Sequence, residues 1–190
     1  MSTEIPEDSI VIAVRVVVHR TEAISSGRSS NHWSIYLVLN DNKSVRLNMR
    51  DKTRQEWPYP VPAGAGYGDP ATLDITVHEY SHPHSTLCYW DCQPSSNRLK
   101  VRDFVNFLLR NNRTYYTMAV GGSGCRFWVY TIINDFSTFS LLENNSPELL
   151  YPHMMAYYSE RGGVLYKEPT DTMPRGKFWK VEDWNREFRT

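Results

Sequence analysis

Cys125 and His32 are the residues whose type and setting could do covalent chemistry. Cys125 follows Gly121-Gly122-Ser123-Gly124 and opens the run Arg126-Phe127-Trp128-Val129-Tyr130-Thr131-Ile132-Ile133. The Gly/Ser stretch cannot hold a helix, while the apolar residues after it keep the spacing of a buried one, which puts the thiol at a helix N-terminus. There the unpaired amides and the helix dipole favour the thiolate. Arg126 adds a positive charge that could bind a substrate carboxylate or depress the thiol pKa, or that could pair with Glu56 or Asp69. Backbone amides around Gly124 and Cys125 would stabilise an oxyanion. The plainer alternative is a small cysteine packed under the loop, the commoner fate of this residue type.

A reactive thiol needs a base, and His32 is the best placed of the six histidines, because it opens the strand-like run His32-Trp33-Ser34-Ile35-Tyr36-Leu37. A strand end is a rigid mount for a ring that must meet a thiol at hydrogen-bond distance. Asn40-Asp41-Asn42-Lys43 then reads as a turn, and Ser44 to Arg50 alternates apolar with polar, so the two runs form a hairpin. With Asp41-Asn42 at the turn centre, Asp51 faces His32 and would orient the imidazole. A one-residue slip brings up Asn48 or Arg50 instead.

Positioning these residues takes the rest of the chain. Residues 9–19 are rich in β-branched side chains and read as a buried strand, and a Ser-rich loop follows over 20–31. Thr72–Tyr80 and Thr86–Trp90 are further strands, with His78 a half-buried sheet residue. Between hairpin and strands, residues 51–70 hold Pro58, Pro60, Pro62 and Pro70 and three glycines, which excludes regular structure. Trp57, Tyr59 and Tyr67 make that loop a lid or pocket wall rather than a linker. Val101, Phe104, Val105 and Leu108 fall at helical spacing, and Thr114–Met118 is extended. Pro147 behind Ser146 starts a helix to about Ser159, which Pro152 threatens to break. Val164–Lys167 is a strand after Gly162-Gly163. In the tail, Trp179, Trp184 and Phe188 can pack a short helix on the body.

The 190 residues make one domain, with 1–8 a flexible N-terminus and 168–190 a peripheral tail. Lys plus Arg and Asp plus Glu are each 21, so no basic footprint for nucleic acid exists. No run is apolar for the length of a membrane span, and the acidic N-terminus is no signal peptide, so a soluble cytoplasmic protein with reduced thiols is expected. Cys88 and Cys92 with two of His78, His82 and His84 could be imagined as metal ligands, but their spacing matches no zinc module. Neither metal nor cofactor is expected.

His32-Trp33-Ser34-Ile35-Tyr36-Leu37, a turn, then Ser44-Val45-Arg46-Leu47 resembles the His-Trp-x-Ile-Tyr-Val hairpin of the lecithin:retinol acyltransferase-like enzymes. Those belong to the circularly permuted branch of the NlpC/P60 papain-like superfamily. The second half is similar in order: an amphipathic helix, Tyr115-Tyr116, then Gly124-Cys125-Arg126-Phe127-Trp128-Val129 where the family has Asn-Cys-Glu-His-Phe-Val. The whole chain also looks like an uncharacterised family of small fungal proteins, a likeness that brings no activity. Three departures stand out. Arg46 replaces the family's third polar histidine and offers an imidazole no acceptor. Gly124 replaces the asparagine. No apolar membrane-anchoring tail like the family's is expected here.

The resemblance implies an α+β, circularly permuted papain-like fold, an antiparallel sheet of about five to six strands packed on a cysteine-bearing helix. The expected function is cysteine-dependent acyl transfer, as an amide or ester hydrolase or an acyltransferase. Cys125 would attack, His32 would carry the proton and Asp51 (or Asn48) would orient the ring. Gly124, Arg126, Trp33, Arg46 and Tyr67 would contact the small-molecule, acyl or amide substrate. Two rivals stand beside it: a non-catalytic module binding a small ligand or peptide, and a cyclase or isomerase using the Cys–His pair for proton transfer.

Overall fold

The β-branched N-terminal run forms β1 (Val11–His19), and the two runs flanking Asn40–Lys43 form β2 (His32–Leu39) and β3 (Ser44–Asp51). With β4 (Ala71–His78) and β5 (Thr86–Cys92) they make one antiparallel sheet of five strands, ordered β4-β3-β2-β1-β5. This α+β arrangement is seen in a computed structural model that describes residues 4–20, 31–53, 55–62 and 64–188. The Ser-rich segment at 21–30 and residues 1–3 lie outside the described residues.

Strand alternation gives the sheet an apolar inner face: Val14, Val16 and Val18 beside Trp33, Ile35 and Leu37, then Val45, Leu47 and Met49. Two helices cover it. In α1 (Val101–Arg110), Val101, Phe104, Val105 and Leu108 are buried, and the Asp103 carboxylate accepts the Lys100 N–H at 2.8 Å, capping the first turn. In α2 (Cys125–Thr138), Trp128, Val129, Ile132, Ile133 and Phe136 are fully buried. Each such side chain contributes about 1.5–3 kcal/mol by leaving water. Gly124 caps α2 at φ 134°, a left-handed conformation that disfavours any side chain, and a Cβ there would stand 3.1 Å from Ala119 N.

Two expectations need correction. The β2–β3 register is one residue off the expected one: Tyr36 pairs with Arg46 and Val38 with Ser44. The turn is a three-residue loop centred on Asp41, closed by Leu39 N–H to Lys43 O at 2.9 Å, with Asn42 left-handed at φ 62°. The helix expected to reach Ser159 ends as α3 (Ser146–Met154), two residues past the internal Pro152. After β6 (Tyr116–Thr117), the chain beyond α3 runs as β7 (Ala156–Arg161), which turns at Gly162-Gly163 and pairs with β8 (Val164–Pro169). The tail docks through β9 (Lys177–Phe178) on β6 and through α4 (Val181–Phe188). None of the described helices is long and apolar enough to cross a membrane.

Candidate functional site

The sulfur of Cys125 reaches β2 from the helix side. The β2–β3 ladder stops at Ile35↔Leu47, so the first residues of β2 have no partner on that edge. Cys125 takes the vacant position: its S–H points at Asn31 O at 4.0 Å, and the Trp33 N–H supports the sulfur. Burial pushes the thiol pKa up, and that outweighs the Trp33 N–H and the nearby Arg126 charge, which both favour the thiolate. The helix N-terminus is therefore not enough to activate it. Burial also raises the other thiols, Cys88 to about 12 and Cys92 to about 11.

His32 leaves β2 on the other face. Trp33 and Ile35 point inward, so His32, Ser34 and Tyr36 point outward, beside His19 of β1 and Arg46 and Asn48 of β3. The Nε2 of His32 lies 2.6 Å from Asn48 Oδ1, and the ring stands 5.5 Å from that of His19. No hydrogen bond joins Cys125 to His32. The expected nucleophile–base pair is thus not formed, because period-two alternation sends Trp33 to the helix and His32 away from it. Asp51 does not orient His32 either. Under the observed register Asn48 does so, while Asp51 lies at the end of β3 against Gly122, its carboxyl oxygen 3.5 Å from where a Gly122 Cβ would be. Partial burial, then the nearby Asp69, raises the Asp51 pKa to about 6.

The outer face holds a connected polar group. Arg46 donates through Nη2 to Asn48 Oδ1 at 3.2 Å and through Nε to Ser34 Oγ at 3.4 Å. A guanidinium brings only donors, so Asn48 must present its oxygen, and His32 must present Nε2–H to it. Ser34, already receiving Arg46, keeps its own proton for His19 Nε2 at 2.6 Å. His78 on β4 bonds Thr76 Oγ1 at 2.8 Å and stacks on Tyr80. All three histidines are held below their usual range, first by burial and also by the Arg46 charge, and His19 falls to about 3. Burial raises Tyr36 to about 12.

No carboxylate pairs with Arg46 among the described residues. Asp74, on the same face opposite Asn48, is held by Arg50 at 2.6 Å, and Arg50 also grips Glu56 at 2.8 Å. Arg15, further along the face, is closed by Asp91 at 2.7 Å. Among the described residues the face therefore carries one guanidinium without a counter-ion, beside histidines whose proton affinity is lowered.

The remaining expected contact residues are structural. Trp33 is wholly buried in the core, its indole N–H without a partner among the described residues. Arg126 is buried, donates to Met154 O at 2.9 Å and lies over the Trp33 and Tyr157 rings, so it ties α2 to the end of α3 and pairs with neither Glu56 nor Asp69. Gly124 O accepts the Tyr116 hydroxyl at 2.9 Å. Tyr67 donates to Glu187 and packs edge-on against Trp179. The loop around it does wall a cleft of about 700 Å³ with Asp69, Val120 and Gly122. Among the described residues, no three His, Cys, Asp or Glu side chains are grouped to hold a metal. His19 and Ser34 were not singled out from sequence, although period-two alternation from His32 puts Ser34 on its face.

The model of one family, described as Domain of unknown function (DUF7770), matches residues 14–179. No curated protein and no solved structure matches the chain.

Proposed function

The chain belongs to that family, whose description carries no activity, and from the geometry alone we propose that it is a binding module for a small anion on the outer face of the sheet. The observation that carries this is Arg46: a part-buried guanidinium fixed by Asn48 and Ser34 with no carboxylate partner among the described residues. Charges held in such places are normally paired, and planar donors suit an oxyanion. Ser34, Asn48 and the histidines, whose proton affinity is lowered, add no competing negative charge.

The permuted papain-like reading stays attached to motif order alone, His32 in the hairpin before Cys125 at the helix start. Acyl transfer on that frame would require His32 to leave Asn48 and cross to the inner side of β2, and would require a thiol that burial now keeps protonated. The binding reading needs no such movement.

Titration of the full chain with sodium sulfate, followed by heteronuclear NMR, tests the proposal. Binding should perturb Ser34, Arg46 and Asn48 amides, and Arg46→Gln should weaken it at least about tenfold, the size of one charge-assisted contact. Arg46→Lys checks that a folded variant with the charge kept still binds. No saturable shift on this face, or an undiminished affinity in Arg46→Gln, overturns the reading.

A further inference from the structure

We propose that an oxyanion docked on Arg46 is taken up together with one proton on His32, which makes this face a proton-coupled receptor for the anion of an acid, phosphoryl or carboxylate. The inference rests on the anion-binding reading above and adds how the site is regulated. Three features lead to it.

The first is the field. Arg46 opposes a positive charge on His19, His32 and His78 alike, and a bound anion cancels that opposition. Among the described residues the charged and titratable groups on this face are few, the turn after β4 adding Tyr80 on His78 and His82 on Arg15. β1 gives His19 and Arg15, β2 gives His32 and Tyr36, and β3 gives Arg46 and Arg50. β4 gives Asp74 and His78, while β5 gives Asp91 and Tyr89. Arg15 and Arg50 are each closed by carboxylates, so among the described residues Arg46 is the cation whose field a ligand can change.

The second is the bonding of the ring. His32 already donates Nε2–H to Asn48 Oδ1, so a proton added at Nδ1 keeps that bond and strengthens it. His19 takes the proton less readily, because its Nε2 accepts from Ser34, whose hydroxyl would have to turn its proton away and accept from both His19 and Arg46, and burial already holds His19 down to about 3. His78 is tied to Thr76 and lies on the next strand but one from His32.

The third is the sign. If binding raises the proton affinity of His32, then protonation raises the affinity for the anion by the same factor. The anion is therefore held more tightly as pH falls, and no redox or covalent step is involved: the proton comes from solvent and returns to it on release.

The test follows histidine Cε1–H signals of the full chain between pH 5 and 8, with and without saturating sodium sulfate at constant ionic strength. Sulfate stays a dianion over this range, so any proton taken up belongs to the protein. The His32 midpoint should rise by about one pH unit, with sulfate bound up to about tenfold more tightly at the acid end. Sodium acetate, run above pH 6, separates a carboxylate-type ligand from a tetrahedral one, and whichever anion moves His32 identifies the source. His32→Gln assigns the signal and should leave binding independent of pH. Binding that perturbs Arg46 while His32 keeps its midpoint, or moves only His78, overturns proton coupling and leaves the anion site standing. No binding of either anion overturns both.

Discussion

The two sides of β2 make opposite use of neighbouring residues. Inward, Trp33, Ile35 and Leu37 are wholly buried against α2, and Cys125 slots onto the edge of the same strand as part of that packing. Outward, His32, Ser34 and Tyr36 face Arg46 and Asn48 in a group of donors and acceptors that satisfy one another but leave one charge unbalanced among the described residues. Adjacent positions in a strand can thus differ in kind: a cysteine and a histidine that sequence order pairs are divided by the pleat. The two side chains are not brought together here, while those of the outer set touch one another.

The largest effect expected of breaking this contrast is on the inner side. Trp33→Ala should cost about 3–5 kcal/mol in urea unfolding, as a large aromatic removed from a packed core. Trp33→Phe should cost much less, since it also removes the unpartnered indole N–H. Equal losses for the two would mean that the indole N–H has a partner and that Trp33 is more than packing.

Next comes the thiol. Native Cys125 should react with iodoacetamide at least about tenfold more slowly than free cysteine at pH 7, because burial disfavours its thiolate. Mass spectrometry of a limiting reaction gives the rate. Fast labelling abolished by His32→Ala would restore the nucleophile–base pair and remove the contrast altogether.

On the outer side, His32→Ala should cost only about 1 kcal/mol, the worth of one hydrogen bond, because Asn48 Oδ1 keeps Arg46 as donor. Thermal unfolding at pH 7 measures it. A loss as large as that of Trp33→Ala would make His32 a core residue and sink its assignment to the outer set.

Much of the frame was legible. The strand-like run 33–39, the period of two in 44–50, the helical spacing in 101–108 and the Gly-rich entry before Cys125 each encode a local element without help from distant chain. What failed depended on distance or on a single residue. A turn with Asn42 in the left-handed region suits both two- and three-residue loops, so residue type did not fix the register. The face of His32 was readable in principle: with Trp33, Ile35 and Leu37 required for the core, their alternates had to face away. Motif order hid this, because it says which residues exist and not which way a strand turns them. The Arg126–Met154 and Tyr67–Glu187 contacts join segments far apart in sequence and have no local signature.

The smallest effect expected is at Asp51, and it turns on that register. The carboxyl stands at the end of β3, well exposed overall but with one oxygen toward Gly122 and with Asp69 nearby, and its pKa rises to about 6 from an ordinary 3.8. A carboxyl whose folded pKa is raised binds its proton more tightly when folded. It therefore adds stability that is fully present below about pH 4, falls between about 4 and 6, and is gone above. Asp51→Asn should flatten that slope and leave the variant more stable than wild type at pH 7, by less than about 1 kcal/mol once solvent screening at an exposed strand end is counted. Sulfate binding at the outer face should not change, since Asn48 and not Asp51 holds His32. Urea midpoints at pH 4, 5, 6 and 7 decide the matter. A variant less stable than wild type at pH 7, together with a displaced His32 midpoint, would return Asp51 to the place opposite His32 and show the hairpin in the other register.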